Sequence, residues 1–468
     1  MTSTLESISL SLPSWIPRDY QERAVELAVS QACLGLLLSP GRGKTTIIYC
    51  ALSILLQQRL MKRALVIAPL RVCYSVWPRQ KDTWADFQHL RVAILHGKNK
   101  ERDLFDLNYD LYCINPEGLD WLCSDPKREA WVRANFDVLV VDEATKFKNS
   151  GTKRFKFMRK FVQYFRRRYI LTGTFTPNGL LDLFGQIYIL DEGASLGRFI
   201  THFKTKYFYP TDFMGYNLAP HSWAPDEIAK KIAPLTLVLT GKEGLNLPDM
   251  QFNDIYVELS APARKLYAEM ENTMILTLES DQVVAANAAV ATSKCRQVAN
   301  GGIYSSVTKG DWNDVHDAKI EALESLIEEL SGETLLVVYE FGFDLEKLQK
   351  ALPSLRRLTT GNQKNDAQEI QAFSNGSTRI GAGQFSSISL GIDGLQNSCH
   401  HVCLFGLTWN LQDYIQVLDR VHRSGQQFPV TIHRIIAKDT VDERVLKVLG
   451  DKNATQEGFL TLLRGYRR

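Results

Sequence analysis

The chain has 468 residues, of which 45% are hydrophobic and 23% are charged, and its formal net charge is +3. These values are typical of a globular protein with chain for about three domains, and they exclude a wholesale polycation that binds nucleic acid through bulk charge. The eight cysteines have no paired spacings, and the sequence shows neither a secretory leader nor an apolar run long enough to span a membrane. We therefore expect a cytoplasmic protein without membrane contact.

A glycine-rich junction near the N-terminus predicts a phosphate-binding loop. The apolar stretch 34–38 predicts a buried strand, the apolar spacing of 45–56 predicts a helix, and Ser-Pro-Gly-Arg-Gly-Lys-Thr-Thr lies between them. Backbone N–H groups and the start of a helix together attract phosphate, although a glycine turn beside a solvated lysine is the alternative. The predicted nucleotide-binding residues are Gly41, Arg42, Gly43, Lys44, Thr45 and Thr46, with Lys44 on the β- and γ-phosphates and Thr45 on Mg²⁺.

A glutamine ahead of this loop predicts a contact with a nucleotide base. Gln21 follows Arg18, Asp19 and Tyr20 at the start of a helical segment. Its amide offers a donor and an acceptor together, which is the pattern needed to bind an adenine edge. A solvated helix start would have the same sequence.

Two carboxylates follow a second apolar stretch. Residues 138–141 predict a central strand, and Asp142 and Glu143 come directly after it. Carboxylates at the end of a buried strand are costly unless a cation meets them, and Mg²⁺ is the expected cation. Downstream of a phosphate loop, Asp142 is predicted to bind Mg²⁺, and Glu143 to orient and polarise the attacking water.

A basic segment follows the two carboxylates. It holds eight basic residues and no acidic residue between Lys153 and Arg168, and its apolar residues recur at helical spacing. The pattern predicts a helix with one core face and one basic face. The basic face either contacts nucleic-acid phosphates or is a solvated surface.

The second half of the chain resumes an alternation of strands and helices from about residue 334 but has no second phosphate loop. Strands that alternate with helices in both halves predict an α/β fold with parallel sheets flanked by helices. Arg420 and Arg423 lie three residues apart on a predicted helix and therefore share a face. They either form surface ion pairs or complete the site of the first half, because the guanidinium fork suits phosphate.

Four potential zinc ligands, Cys399, His400, His401 and Cys403, lie close together in the second half. A zinc site usually needs two such pairs brought together by the fold, and the sequence has no second pair. The cluster is therefore predicted to be structural.

The ordered motifs resemble those of the Swi/Snf-type branch of superfamily-two helicases. They are Gly-Arg-Gly-Lys-Thr at 41–45, Asp-Glu-Ala-Thr at 142–145, Leu-Thr-Gly-Thr-Phe-Thr-Pro-Asn at 171–178 and Gln-Val-Leu-Asp-Arg-Val-His-Arg-Ser-Gly-Gln at 416–426. Supporting sequences include Arg18 to Gln21, Ala68-Pro69 with Trp77, Lys148-Asn149, Leu245-Asn246-Leu247-Pro248 and Gly394-Leu395-Gln396. The resemblance covers residues 16–450.

The resemblance implies two RecA-like lobes with ATP and Mg²⁺ in the cleft and double-stranded DNA across both lobes. It places Gln21 on adenine, Lys44 and Thr45 on phosphates and metal, and Asp142 and Glu143 on metal and water. It assigns Arg420 and Arg423 to the γ-phosphate, so that the implied catalytic residues are Lys44, Asp142, Glu143, Arg420 and Arg423.

Three positions depart from the pattern of this branch. Thr145 stands where histidine is usual, Phe175 where proline is usual, and Leu38 where a small or acidic residue is usual. None of these changes removes a group that hydrolysis needs. Thr145 and Phe175 are expected to affect the coupling between ATP and DNA.

The predicted domains are a RecA-like lobe 1 over 1–182, its helical extension over 183–245, a linker and helical insertion over 246–312, and a RecA-like lobe 2 with a C-terminal helical segment over 313–468. The expected function is an ATP-dependent translocase on double-stranded DNA, similar to compact forms encoded by bacteriophages. A strand-separating DNA or RNA helicase and a nucleotide-gated DNA clamp with little turnover are the alternatives. We expect a monomer in a bacterial host cytoplasm, with replication or recombination proteins as partners.

Overall fold

The computed structural model describes residues 12–212, 217–239, 247–279, 285–305, 308, 310–389 and 392–466. Leu245 and Asn246 of the Leu-Asn-Leu-Pro sequence lie outside these residues. The chain divides into two compact units. Unit 1 comprises Met1–Gly244 and Thr455–Arg468, and unit 2 comprises Leu245–Ala454.

Unit 1 is built on a parallel sheet. Its strands are β1 (Cys33–Leu38), β2 (Ala64–Ile67), β3 (Val92–Ile94), β4 (Leu111–Ile114), β5 (Val138–Asp142), β6 (Arg167–Thr172), β7 (Phe208–Pro210), β8 (Leu218–Pro220) and β9 (Thr236–Leu239). Its helices are α1 (Asp19–Ser30), α2 (Lys44–Gln57), α3 (Leu70–Ser75), α4 (Arg79–Thr83), α5 (Lys100–Phe105), α6 (Gly118–Ser124), α7 (Pro126–Asn135), α8 (Lys153–Phe161), α9 (Leu183–Asp191), α10 (Ile200–Tyr207) and α11 (Ala224–Ile232). The sheet has the strand order β3-β4-β2-β5-β6-β1-β9, and β7 and β8 form a separate antiparallel hairpin.

Both faces of this sheet are buried, because alternate residues of each strand enter two different cores. On β5, Val138 and Val140 pack with helices α1 and α2, whereas Leu139 and Val141 pack with helices that include α8 and α9. A strand buried on both faces has apolar residues at successive positions, which is why 138–141 contains only valine and leucine. The central strands are therefore fixed from both sides, and the loops at their carboxyl ends start from rigid positions.

Unit 2 contains a second parallel sheet. Its strands are β10 (Met250–Val257), β11 (Gly302–Tyr304), β12 (Trp312–Asp314), β13 (Leu335–Tyr339), β14 (Arg356–Arg357), β15 (Ile380–Gln384), β16 (His401–Leu404) and β17 (Val430–Ala437). Its helices are α12 (Ala261–Glu279), α13 (Ala285–Ala299), α14 (Ala318–Glu329), α15 (Gly342–Ala351), α16 (Gln363–Ser374), α17 (Phe385–Ile388), α18 (Leu411–Val421) and the start of α19 (Val441–Gly465). The sheet order is β10-β17-β16-β13-β15-β14, and β11 pairs antiparallel with β12.

The predicted α/β fold class is confirmed, since each unit contains a parallel sheet flanked by helices. The predicted boundaries at 182, 245 and 312 stay predictions. The last residues of the chain, which we expected in lobe 2, are grouped with unit 1 instead. The physical reason is burial, because Phe459 and Leu463 of α19 lie in the core of unit 1.

Strands of both parallel sheets lie in a region where we predicted mainly helices. Residues 183–312 were predicted to form a helical extension followed by a linker and helical insertion. Instead, β9 adds a seventh strand to the sheet of unit 1, and β10 forms one edge of the sheet of unit 2. The prediction was wrong at these strands. In β10, residues 251–254 are exposed and include Gln251, Asn253 and Asp254, so this edge strand lacks an apolar pattern.

A row of hydrogen bonds crosses the edge of the unit 2 sheet. The Asn253 side-chain nitrogen of β10 lies 3.0 Å from His433 Nδ1 of β17, and His433 Nε2 lies 3.1 Å from His401 Nδ1 of β16. Burial, assisted by the neighbouring His401, lowers the pKa of His433 to about 4. His433 is therefore neutral in the folded protein near neutral pH.

This low pKa predicts a pH-dependent stability. In the unfolded chain the pKa of histidine is about 6.5. Between pH 6.5 and about 4 the unfolded state therefore binds more protons than the folded state, so the free energy of unfolding falls as the pH falls. The contribution of one such group is at most about 1.4 kcal/mol per pH unit. We expect His433→Gln to reduce the loss of stability between pH 7 and pH 5, measured as the shift of the urea midpoint. An equal shift in the wild-type protein would contradict this assignment.

No helix in the described part of the chain is both long enough and apolar enough to cross a membrane.

Candidate active site

The predicted nucleotide and metal residues of unit 1 lie at one edge of its sheet. The phosphate loop follows β1, the Asp142–Glu143 pair ends β5, and the 172–178 loop follows β6. These three strands are parallel neighbours in the order β5-β6-β1, so their carboxyl ends meet at the same edge. In open α/β sheets this edge is where ligands bind.

The phosphate loop has a backbone that depends on glycine. Gly43 has φ +73° and directly precedes α2, a helix of 14 residues whose first N–H groups have no partner within the helix. Lys44 begins this helix, and its Nζ donates to the carbonyl oxygens of Leu38 at 2.7 Å and Ser39 at 3.3 Å. The lysine ammonium therefore lies over the loop itself, where a phosphate would meet it.

Gln21 lies against this loop. Its side-chain oxygen accepts from the backbone N–H of Arg18 at 3.0 Å, and its side-chain nitrogen donates to the carbonyl of Arg42 at 3.2 Å. Tyr20 donates to the same carbonyl at 3.2 Å, and Arg42 is fully buried. Each amide atom of Gln21 retains capacity for one more bond, so a contact with adenine stays a prediction that this geometry permits.

Gly43→Ala tests the shape of this loop. A Cβ at position 43 would lie 2.6 Å from the Gln21 side-chain nitrogen, and alanine at φ +73° is strained. We expect ATP binding to weaken by about tenfold, equivalent to roughly 1.4 kcal/mol, in a titration with a fluorescent ATP analogue. Gly97→Ala is the matched control, because Gly97 has φ +76° but a Cβ there would have no atom within 4 Å. Equal affinities of the two variants would show that the clash is unimportant.

Asp142 is a buried carboxylate that is poised to meet a cation. Its side chain is almost completely buried, and one carboxylate oxygen accepts a hydrogen bond from the indole N–H of Trp77 at 3.0 Å. Burial, followed by the charge of Glu143, raises the pKa of Asp142 to about 6, while the Trp77 hydrogen bond and the charge of Lys44 oppose this rise. Such a carboxylate gains from a metal ion that compensates the cost of burial.

Glu143 has an unusual backbone conformation. Its φ is +58° and its ψ is +59°, which is the left-handed region that residues other than glycine rarely adopt. This conformation turns the chain sharply at the end of β5, and the following residues 144–147 form a short 3₁₀ turn. Strained backbone of this kind persists where surrounding structure fixes it and is concentrated at functional sites.

The 172–178 loop is packed against the phosphate loop. A Cβ at Gly173 would lie 2.8 Å from Pro40 Cδ, so only glycine permits this approach. Phe175, at a position where the resembled branch usually has proline, is buried in the core of unit 1, and its carbonyl accepts from Gln186 at 2.8 Å. The departure at 175 is thus accommodated by burial of the ring.

The residues at this sheet edge supply oxygen ligands that suit a Mg²⁺ ion bound together with a nucleotide. Mg²⁺ is commonly held by one or two protein oxygens together with phosphate oxygens and water. Thr45 in the first turn of α2 and Asp142 at the end of β5 supply such oxygens at one edge of the sheet. In the described residues no three His, Cys, Asp or Glu side chains are grouped so that they could hold a metal ion. Thr46, also predicted to bind nucleotide, donates its hydroxyl to Gln80 at 2.8 Å.

In unit 2, Arg420 and Arg423 converge on one carboxylate. Arg423 contacts Asp393 at 2.7 Å, Arg420 lies 3.9 Å from the same oxygen, and Arg420 also donates to the carbonyl of Ser389 at 2.6 Å. The sequence predicted that the two arginines share a face, but it did not single out Asp393 as the group between them. The sequence signal that could have indicated Asp393 is its position directly before the supporting sequence Gly394-Leu395-Gln396.

Two other residues of the 416–426 motif, His422 and Gln426, have structural roles. His422 lies 2.8 Å from the carbonyl of Pro248, and the buried Gln426 donates to the carbonyl of Cys399 at 2.9 Å. The Gln426 side-chain oxygen also accepts from the backbone N–H groups of Gln427 and Phe428. These bonds fix the chain at the end of α18.

Several cations of the basic segment 153–168 form ion pairs within unit 1. Arg154 pairs with Glu117, Lys160 pairs with Glu129, and Arg168 pairs with Glu192. Lys153 and Lys156 of α8 are exposed. The predicted core face is confirmed, since the segment's apolar residues Phe155, Met158, Phe161, Val162 and Phe165 are all buried.

Comparison with known proteins gives two family matches. The SNF2-related domain matches residues 20–302, and the helicase conserved C-terminal domain matches residues 318–425. The chain is 31% identical to putative protein p41 of Acyrthosiphon pisum secondary endosymbiont phage 1, with 97% of this chain and 100% of the phage protein covered. It is 26% identical to an uncharacterized ATP-dependent helicase of Mycoplasma genitalium, covering 93% of this chain and 41% of that protein.

Among solved structures, the chain is similar to the SWI2/SNF2 ATPase core of Sulfolobus solfataricus in complex with double-stranded DNA. The sequence identity is 23%, the TM-score is 0.44, and 95% of this chain and 93% of the other are covered.

The chain belongs to the SNF2-related family and has the domain composition of a helicase-like ATPase. The predicted family is thereby confirmed. Its similarity to a phage protein over the full length of that protein also confirms the predicted resemblance to compact phage-encoded forms.

Proposed function

We propose that the protein is a DNA-stimulated ATPase that uses Mg²⁺-ATP to move along double-stranded DNA. The observation that carries this proposal is the convergence of the phosphate loop, the Asp142–Glu143 pair and the 172–178 loop at one sheet edge of unit 1. Membership of the SNF2-related family supports it. The resemblance of the ordered motifs to the Swi/Snf-type branch supports duplex DNA as the polymer.

Each residue at this edge has a proposed task. The backbone of Gly41 to Thr46 and the Lys44 ammonium bind the phosphates, and Gln21 contacts adenine. Thr45 and Asp142 hold Mg²⁺, which neutralises phosphate charge when bound. Glu143 holds the attacking water and accepts its proton, because its carboxylate follows the metal-binding residue on a fixed, sharply turned backbone.

Arg420 and Arg423 are proposed to stabilise negative charge on the γ-phosphate. Their guanidinium groups are held close together by Asp393, with side-chain exposures of 16% and 21%. Two adjacent guanidinium groups present several N–H donors in a planar geometry that suits phosphate oxygens. The carboxylate thereby positions the two arginines beside each other.

Double-stranded DNA is the proposed polymer partner. Contacts to its phosphates need local cations, since the net charge of the chain is only +3. The exposed Lys153 and Lys156, three residues apart on α8, are proposed to contribute. We further propose a monomer acting in the cytoplasm of a bacterial host, with replication or recombination proteins as partners. The similarity to a phage protein supports the bacterial host.

The test compares ATP turnover with double-stranded DNA, single-stranded DNA, RNA and no nucleic acid, and Lys44→Ala serves as the inactive control. We expect duplex DNA to stimulate turnover by about tenfold or more, within the range of ordinary coupling between two sites. Preferential stimulation by single strands or RNA would favour a strand-separating helicase. ATP binding without turnover above the Lys44→Ala level would favour a nucleotide-gated clamp and contradict the proposed enzyme.

A further inference from the structure

A short segment of unit 1 is hydrogen-bonded to both sides of the proposed metal site. The segment 70–83 follows β2 and contains α3 and α4. From it, the Trp77 indole N–H donates to Asp142 Oδ2 at 3.0 Å. In the opposite direction, the Thr46 hydroxyl donates to Gln80 Oε1 at 2.8 Å. Neither Trp77 nor Gln80 belongs to the residues assigned to nucleotide or metal above.

Trp77 is a rigid donor. Its side chain is fully buried, its ring lies 5.9 Å from the ring of Tyr49 on α2, and Tyr49 in turn lies 5.4 Å from Phe87. The backbone N–H of Trp77 donates to the carbonyl of Val72, which fixes the end of α3. A large ring enclosed in this way cannot turn without disturbing the core, so the direction of its N–H is set by the fold.

The bond from Trp77 occupies one oxygen of Asp142 and thereby orients the other. The Trp77 bond to Oδ2 and a hydrogen bond from the Glu143 backbone N–H together fix the plane of the carboxylate. A carboxylate has about four lone-pair sites on its two oxygens, so it can accept both bonds and still bind a cation. Groups that hold a metal ligand through its second atom set the orientation of that ligand, and their loss typically lowers metal affinity by about 10- to 100-fold.

Gln80 acts on the other side of the site. Its amide oxygen accepts from Thr46, which is adjacent to Thr45 in the first turn of α2. Thr45 is the second proposed metal-binding residue, so the position of this turn determines where the Thr45 hydroxyl lies. Trp77 and Gln80 are three residues apart and therefore connect the end of β5 and the start of α2 through one short piece of chain.

We propose that Trp77 and Gln80 are positioning residues that set the affinity of the site for Mg²⁺ in the presence of nucleotide. Trp77 acts through Asp142, and Gln80 acts through the first turn of α2. This inference rests on the proposed function, because it assumes that the site binds Mg²⁺-ATP.

The experiment measures binding of a fluorescent ATP analogue as a function of Mg²⁺ concentration, without any need for turnover. Trp77→Phe removes the N–H donor and keeps a ring beside Tyr49, and Gln80→Leu removes the acceptor at similar volume. Trp131→Phe is the matched control, because the Trp131 indole donates to the carbonyl of Leu104 at 3.0 Å and thus loses an equivalent bond elsewhere in unit 1.

We expect Trp77→Phe to raise the Mg²⁺ concentration for half-maximal binding by about tenfold, and Gln80→Leu to raise it by a smaller factor. Excess Mg²⁺ should restore binding in both, and Trp131→Phe should match the wild type. In an Asp142→Asn background, Trp77→Phe should have no further effect on the Mg²⁺ requirement, since its action passes through that carboxylate.

The outcomes separate this inference from the proposed function. Wild-type protein that fails to bind Mg²⁺ and the ATP analogue would overturn the proposed function itself. Wild-type protein that binds them, with Trp77→Phe and Gln80→Leu showing the Mg²⁺ dependence of Trp131→Phe, would overturn the positioning role alone. If a variant loses binding and excess Mg²⁺ does not restore it, the positioning role is also overturned, because that result indicates a structural role for the residue. Should Trp77→Phe fail to fold, Gln80→Leu decides by the same criteria.

Discussion

A Glu143→Gln variant is expected to lose ATP turnover by about 10²- to 10⁴-fold, the range that removal of a general base costs in other enzymes. Glutamine has nearly the same shape as glutamate but cannot accept the proton of the attacking water. ATP and Mg²⁺ binding should persist, because the phosphate loop and Asp142 are unchanged. The measurement is steady-state ATP turnover with saturating duplex DNA, beside equilibrium binding of the ATP analogue.

The chain offers a close control for this substitution. Glu192 follows α9, has the same φ of +58° and pairs its carboxylate with Arg168. Glu192→Gln therefore removes a charge from a glutamate in the same backbone conformation within the same unit, but away from the sheet edge that carries the site. We expect its turnover to stay near that of the wild type. If both variants lose activity equally, or if Glu143→Gln retains full turnover, Glu143 does not hold the attacking water.

Replacing Arg420 or Arg423 by alanine is expected to lower turnover by about 10³-fold or more, because arginine fingers in other nucleotide hydrolases contribute on the order of 10³ to 10⁵. Arg→Lys at either position should recover little activity, since lysine retains the charge but not the planar fork that binds two oxygens. ATP binding in the absence of turnover should change much less than the rate, because the proposed contact is made to charge that develops in the transition state.

Arg434→Ala separates this effect from a general loss of stability. Arg434 forms a two-point ion pair with Asp254 at 2.5 and 2.7 Å, and its side-chain exposure of 19% lies between those of Arg420 and Arg423. We expect Arg434→Ala to shift the melting temperature without a large loss of turnover. Turnover near the wild-type level in the Arg420 and Arg423 variants would restrict these residues to binding Asp393 within unit 2.

The sequence was most informative where local pattern and chemistry coincide. The apolar run at 138–141 predicted a central strand, and the structure confirms it, with alternate residues entering two cores. Gly43 was predicted at the turn before α2, where its φ is +73° and Gln21 leaves no room for a Cβ. Buried strands and glycine-dependent turns can be predicted because their physical requirements lie within a few consecutive residues.

Features that depend on distant contacts could not be predicted. The bond between Trp77 and Asp142 joins residues 65 positions apart, and nothing local to either residue indicates it. The edge strand β10 has exposed polar residues, and it forms a strand by pairing with β17, which lies about 180 positions further along the chain. Similarly, the end of α19 belongs with unit 1 because Phe459 and Leu463 find their apolar neighbours there, and no pattern in the helix itself specifies this.

Displacement of a third strand from a triplex on duplex DNA is the most direct test of directed movement. A labelled third strand, bound at one end of a linear duplex, is released when a motor passes beneath it without separating the duplex strands. We expect ATP-dependent release by the wild-type protein, no release by Lys44→Ala or Glu143→Gln, and an intact duplex afterwards. ATP turnover on duplex DNA without any triplex release would contradict the proposed translocase.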